Sequence, residues 1–455
     1  MIFGGRSPAD RGFTRAGRTG AQFQACGLPF LRAHCGDRMS RPAADAERPA
    51  SYRDLFASVE YRAVFGASLL SWIGDYLCKA AVALLVFDRT GSVLASAVTF
   101  AVGYLPWLTA GPILAAAAER YPARSVMISC DLVRAALIGL IAIPGVPVPV
   151  LLVLLFAGGL LAPPFEAARS AQLPHILTGD RYPLGLAFNN SVFHVAQVFG
   201  YAAGGLIAGY SSHVALLLNA GTFVGSAFLL HRHVRLRPAS LAHIRRTGLW
   251  RETLQGYALV FGDPVMRVIA FIAFATVTFV IVPEGLAAAW ASEIGGGGAA
   301  QGLIMAANPL GVAIGGLLLT RLLRPKARIR LIRPLAVLAP LTLVPAIFDP
   351  PLTGVLILVT ASGVVMSLLL PAAQTLFKDV LPDEYRARAF GVMNSGIQIA
   401  QGAAILTTGA LSERFPTSAV IGAWCAAGVV LMILVTALPL SRPEPSVPTT
   451  PPGDS

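Results

Sequence analysis

Charge is what this sequence lacks most. Of its 455 residues only 13% are charged, against roughly 25% in soluble domains, and a mean hydropathy of +0.68 points the same way. Lysine is nearly absent: Lys79, Lys326 and Lys378 are the three, so the basic charge is carried by arginine. The five cysteines, Cys26, Cys35, Cys78, Cys130 and Cys425, form no CxxC pair, and three of them fall in apolar stretches. That spacing offers neither a disulfide framework nor a metal site. No GxxxxGK[ST] loop is present, so nucleotide hydrolysis is not the expected energy source and no cofactor is implied. Residues 1–60 contain no apolar core of the kind a cleaved leader needs. Of seven histidines only His194 lies deep in a helical stretch, which argues against a membrane-embedded transferase and against an enzyme generally.

What is there is apolar sequence in long blocks. A helix needs about 20 mostly apolar residues to cross a bilayer, and such blocks follow almost back to back from Val64 to Leu440. The expected fold is an all-α integral membrane protein of twelve transmembrane helices, split six and six. They run near 64–87, 92–117, 125–144, 148–168, 186–210 and 213–231, then 268–291, 299–320, 332–348, 352–375, 387–409 and 416–440. The expected organisation is a disordered tail over 1–60 (true start possibly Met39), a first bundle over 61–232, a loop over 233–266, a second bundle over 267–440 and a tail over 441–455. The loop segment "GLWRETLQGYALVFGDPVMR" reads either as a basic amphipathic helix on the membrane surface or as a plain tether.

The net charge of +12 would fit nucleic-acid binding if it were clustered. Instead, the basic residues gather in every second loop. Twenty lysines and arginines fall on one face, and only Arg89 and Arg414 on the other. This asymmetry predicts a multi-pass protein of the plasma or inner membrane with both termini in the cytoplasm, and excludes nucleic acid as partner.

The halves also repeat. Glu166–Ser191 and Pro371–Gly396 match at one offset, which lays Ala167 on Ala372, Ala168 on Ala373 and Asn189 on Asn394. Parallel repeats of six spans are a transporter signature, with the substrate site between the halves. Glycine pairs spaced as GxxxG (Gly200/Gly204, Gly205/Gly209, Gly221/Gly225 and Gly311/Gly315) are expected to let helices approach closely.

The segments "SWIGDYL", "GPILAAAAERYPAR", "DLVRA", "FGYAAGG" and "LPDEYRARAF" resemble the major facilitator superfamily, in particular its enterobactin-exporter and macrolide-efflux type of permease. The likeness spans roughly residues 52–440. It departs from the usual pattern at Ala115 and Glu119, where Gly and Asp are expected, and at Tyr201, where the antiporter motif has Pro. The resemblance implies the two-bundle facilitator fold and a secondary active, proton-coupled exporter of a small amphipathic molecule of drug, macrolide or siderophore class, working by alternating access. The partners implied are that substrate, protons and membrane lipid, with no obligate protein. An uptake permease of the same fold, or a transporter-like scaffold or sensor, are the alternatives.

Several polar residues stand out against the apolar background. Asp75 and Lys79 share a face near the middle of the first stretch, and each charge costs about 2.5–3.5 kcal/mol at a helix centre. They read as a self-neutralising ion pair or as a proton and substrate site. Glu284 follows Pro283, where a kink would turn the carboxylate toward a cavity, and is the third coupling candidate. Asn190, His194 and Gln197, continued by Tyr201, form one polar stripe; Asn394, Gln398 and Gln401 form its repeat-related partner. Both stripes are expected to line the cavity, or else to hydrogen-bond neighbouring helices. Glu119, Arg120, Arg124, Asp131 and Arg134 cluster at the inner ends of the second and third helices. By resemblance they form a cytoplasmic gate; a static ion network is the alternative.

Overall fold

The computed structural model describes residues 51–238, 257–322, 331–380 and 386–437. Among them the chain is helical throughout. The first half contains α1 (Tyr52–Phe56), α2 (Val59–Thr90), α3 (Val93–Val102), α4 (Leu105–Leu108), α5 (Gly111–Ala118), α6 (Ala123–Ile141), α7 (Val148–Gly159), α8 (Ala162–Ile176) and α9 (Arg181–His233). The second contains α10 (Pro264–Val280), α11 (Val282–Gly285), α12 (Ala287–Glu293), α13 (Gly297–Leu322), α14 (Ile332–Leu341), a 3-10 turn (Val344–Phe348), α15 (Leu352–Val380), α16 (Arg386–Ser412) and α17 (Thr417–Thr436).

Each apolar stretch read from the sequence falls on helix, and seven of the described helical segments are long and apolar enough to cross a membrane. The chain is therefore a multi-pass membrane protein. The differences have local causes. The second stretch is broken into α3, α4 and α5 because Pro106 and Pro112 sit in the first turns of the last two, where proline lacks an N–H to continue the preceding helix. The fifth and sixth stretches run together as α9, whose 53 residues bend at Ser211 (φ −161°, ψ 110°). Unbent, that length would be about 80 Å, well over twice the ~30 Å hydrocarbon layer. Helix α1 lies inside the stretch expected as tail, held by a capping box between Ser51 and Asp54. Of the loop segment 248–267, residues 248–256 lie outside the described residues; 257–262 are helical, and Leu259, Val260 and Phe261 pack into the cluster around Val265 and Phe377.

Capping explains where the helices start and stop. The Ser58 hydroxyl accepts from the Tyr61 N–H to open α2, and Gly91 closes it in the left-handed region (φ 64°), as helix-ending glycines do. The Asp263 carboxylate accepts from Val265 and Met266 N–H to open α10.

Glycine sets the close helix crossings. Gly200 and Gly204 lie against the backbone of α2 at Ile73 and Leu77, and Gly311 and Gly315 against α15 at Thr360 and Val364. Gly205 and Gly209 of α9 meet Gly298 and Gly302 of α13, so two backbones touch across the boundary between the halves. A Cβ on Gly298 would stand 2.6 Å from the Gly205 carbonyl oxygen, inside van der Waals contact. The Gly221/Gly225 pair makes no such contact: Gly221 has nothing within 4 Å of a Cβ. Gly205→Val is expected to lower the melting temperature of the purified protein followed by size-exclusion chromatography. Gly221→Ala should be neutral or raise it, since alanine gains up to ~1 kcal/mol in a helix interior. Equal stability for Gly205→Val would mean that α9 and α13 do not touch there.

Candidate functional site

Two cavities meet inside the helices. The larger, about 560 Å³, is walled by α2, α3, α6 to α9 and the neighbouring turns. Its walls carry Trp72, Trp107, Phe165 and Phe193 beside the charged Asp75, Lys79, Arg134, Glu166 and Arg169. The smaller, about 320 Å³, lies between the halves and includes Tyr104, Tyr201, Glu284, Asn308 and Met366. Tyr76, Lys79, Gly103, Trp107 and Phe193 line both, so Lys79 stands at the seam.

Asp75 does not pair with Lys79. Its carboxylate forms an ion pair with the Arg134 guanidinium, which projects from the middle of α6. Arg134 also donates to the Ser71 hydroxyl at 3.3 Å and lies 4.3 Å over the Phe223 ring. The i,i+4 spacing of Asp75 and Lys79 is real, but a guanidinium from a neighbouring helix offers a planar fork that fits a carboxylate better than an ammonium does. Lys79 turns instead to aromatic faces: its Nζ is 4.8 Å from the Tyr76 ring centre, 5.9 Å from Tyr104 and 6.0 Å from Phe100. Such contacts contribute about 0.5–2 kcal/mol each, whereas unit charges at 4 Å attract by about 4 kcal/mol at an effective dielectric constant of 20.

The expected gate cluster is dispersed. Asp131 is fully buried and accepts from the Ser226 hydroxyl at 2.5 Å. Arg124 donates to the His231 carbonyl at 2.5 Å, satisfying the C-terminal end of α9 as cations there do. Glu119 and Arg120 are exposed, and Glu119 lines a small surface pocket with Arg237. Arg134 belongs to the cavity. Glu119, Arg120 and Arg124 lie at the adjoining ends of α5 and α6, whereas Asp131 and Arg134 lie mid-way along α6, and each takes a different partner.

The polar stripes are largely where expected. His194, Gln197, Gln398 and Gln401 all line the smaller cavity, and Asn190 lines the larger one. His194 and Gln197 are hydrogen-bonded to one another at 2.9 Å. Asn394 is the exception: it is exposed and lines neither cavity. Its repeat partner Asn189 is buried and accepts from the Tyr61 hydroxyl at 3.4 Å. The chain breaks around Pro283 as expected, and buried Glu284 accepts from the Tyr201 hydroxyl of the other half at 3.2 Å.

Sequence reasoning missed Trp72, Glu166 and Arg169. The Glu166 carboxylate accepts from the Trp72 indole at 3.1 Å and from Arg169 at 2.5 and 2.9 Å, while the Arg169 guanidinium stacks 5.1 Å over the Trp72 ring. Arg169 had been counted as a loop charge, because the fourth apolar stretch ends at 168; the helix continues to Ile176. The signal was an i,i+3 acid–base pair at the edge of an apolar run.

The family model described as Major Facilitator Superfamily matches residues 64–359 and 285–454. The chain belongs to the major facilitator superfamily. No curated protein matches it in sequence. Among solved structures, this facilitator resembles the nucleoside transporter NupG, at 13% identity over 82% of this chain and 98% of that one, with a TM-score of 0.63. It also resembles a bacterial homologue of the iron transporter ferroportin in an inward-facing state (15% identity, 84% and 99% covered, TM-score 0.63). A third likeness is to the xylose transporter XylE from E. coli in an inward-open conformation (13%, 83% and 95%, TM-score 0.60). At these identities the likeness establishes the fold alone.

Hydrogen bonds also join the two halves beside the cavities. The Glu413 carboxylate, just past α16, accepts from the Ser92 hydroxyl at 2.7 Å and the Leu94 N–H at 2.8 Å at the start of α3. Gln301 of α13 donates to the Ala80 carbonyl of α2 at 3.0 Å. These bonds hold the Glu413 carboxyl below its ordinary value of 4.5, through Leu94 first and then Ser92. The contact is therefore fully present above pH 4.5 and is lost as pH falls further. Wild-type protein should melt above Glu413→Gln at neutral pH, and the gap should close on acidification; a constant gap would show that charge is not what holds it.

The ion pairs give a second test. Asp75→Asn or Arg134→Gln alone strands a charge, at a cost of about 3–5 kcal/mol, and should reduce the yield of folded protein; the double variant should recover it. Lys79→Met, which breaks no ion pair, should fold normally. A double variant no better than either single one would count against the pair.

Proposed function

We propose that the protein is a secondary active exporter of a small amphipathic molecule, driven by proton exchange, with twelve spans in two six-helix bundles. On this reading it sits in the plasma or inner membrane with both termini in the cytoplasm. The observation that carries the proposal is the hydrogen bond from Tyr201 of the first half to Glu284 of the second, inside the cavity that separates them. An ionised Glu284 accepts that bond as a charge-assisted one; a protonated one keeps only a weaker, neutral hydrogen bond, so the tie between the halves loosens. Proton loading and the arrangement of the halves are thereby linked through one carboxyl, as alternating access requires.

The direction of opening supports the same reading. The inter-half contacts at Ser92, Glu413, Gly205 and Gly302 lie at the end that carries Arg89 and Arg414. That is the face poor in basic residues, outside by the positive-inside rule, and contacts there support an inward-facing state. Asp75 is bound to Arg134 and serves as a positioning residue, while Glu284 carries the proton. The resemblance of "SWIGDYL" and "LPDEYRARAF" to exporters of amphipathic compounds supports export over uptake.

Proteoliposomes with an imposed pH gradient, loaded in turn with a macrolide, a catecholate siderophore and amphipathic dyes, test this. Wild-type protein should move at least one compound against its gradient, in the direction opposite to protons. Glu284→Gln should keep substrate exchange but lose uphill transport by about a hundredfold, or ~2.7 kcal/mol of coupling. Uphill transport by Glu284→Gln would remove it as proton carrier, and movement in the same direction as protons would make the protein an importer.

A further inference from the structure

Every carboxylate on the cavity walls is already answered by the protein. Asp75 has Arg134, Glu166 has Arg169 and the Trp72 indole, and Glu284 has the Tyr201 hydroxyl. Lys79 is the charge left over. Its ammonium makes no ion pair and no hydrogen bond among the described residues and lies against the faces of Tyr76, Tyr104 and Phe100, while Asp75 and Glu284 act on it only through attraction at longer range. It also stands where the two cavities join. An ammonium carries three N–H donors and no acceptor, so at this seam it is a donor group facing open space.

We propose that Lys79 is the docking cation for an amphipathic anion. A carboxylate or sulfonate would be held by the Lys79 ammonium at the seam, and an aromatic or apolar body would fill the larger cavity between Trp72, Trp107, Phe165 and Phe193. This rests on the transporter reading above and narrows its substrate. The arrangement selects against the opposite charge. Three aromatic faces around one point form the kind of cage that takes a ligand ammonium, but the cage is filled by the protein's own cation. A cationic ligand would have to displace Lys79 and remain beside it, whereas an anion draws Lys79 off the rings and replaces weak contacts by a charge pair. A volume of about 560 Å³ lies within the range of drug-sized ligand sites.

A matched set of probes isolates the charge: 1-anilinonaphthalene-8-sulfonate, its uncharged parent N-phenyl-1-naphthylamine, and the cation ethidium. Binding is measured by equilibrium dialysis against purified protein in nanodiscs, with empty nanodiscs subtracted. Wild-type protein should bind the sulfonate at least about tenfold more tightly than the parent, and ethidium most weakly. Lys79→Gln should weaken the sulfonate by about tenfold or more while changing the parent by less than about twofold. Lys79→Arg should keep the preference for the anion, which a purely structural lysine would not require. The proposal is overturned if wild-type protein binds sulfonate and parent equally, if ethidium binds more tightly than the sulfonate, or if Lys79→Gln leaves sulfonate binding intact. The wild-type comparison decides the matter alone should Lys79→Gln fail to fold. Uncharged probe bound and transported without preference for the anion defeats this inference and leaves the transporter standing. A protein that moves no compound of the proteoliposome panel defeats the transporter reading itself.

Discussion

The arrangement of the first half depends on the ion pair between Asp75 and Arg134. A charge in a hydrocarbon layer must be answered by another or by water, and here α2 supplies the carboxylate and α6 the guanidinium. Because Arg134 also lies over Phe223 and donates to Ser71, the same group ties α9 to the other two helices. Its choice of partner settles the others. Asp131, one turn earlier on α6, takes a hydroxyl from Ser226 instead, and Lys79 is left without a carboxylate and turns to aromatic rings.

The distribution of charge between the halves is unequal. The ion-paired groups on the cavity walls belong to α2, α6 and α8, while the second half contributes one carboxyl, Glu284, and the amides of Asn308, Gln398 and Gln401. The charged groups of the cavity walls therefore belong almost wholly to the first half, and the second adds one carboxyl and neutral amides. Between them the closest backbone approach is at glycines, where no side chains interlock. Close packing without interdigitation lets two surfaces rearrange without crossing rotamer barriers, in contrast to the close-packed interior of each half.

What could be read from the sequence was whatever has a period or a run. Apolar blocks mark the helices, and the 3.6-residue stripe places His194 with Gln197, and Gln398 with Gln401, on shared helix faces that line one cavity. Pro283 announced its break because proline has no N–H to offer. Partnerships across helices had no such signature. Asp75 has a cation four residues away and prefers one fifty-nine residues away, and nothing in one sequence distinguishes these. Helix ends misled as well: Arg169 fell just past an apolar run that ended at 168, although α8 continues through Pro174. The internal repeat predicted shared position, not shared environment, since Asn189 is buried beside Tyr61 while Asn394 is exposed.

The stacking of Arg169 on Trp72, with Glu166 bonded to the indole nitrogen, has an optical consequence. Of the five tryptophans, Trp72 and Trp107 line the cavity, whereas Trp290 is fully buried and Trp424 donates to the Thr278 carbonyl. An indole held between a guanidinium and a carboxylate emits according to the field those two groups impose. A molecule entering the cavity changes that field by displacing water or by drawing on Arg169. The protein thus carries an intrinsic fluorophore on its cavity wall, whose emission colour depends on what fills the cavity, without any label attached.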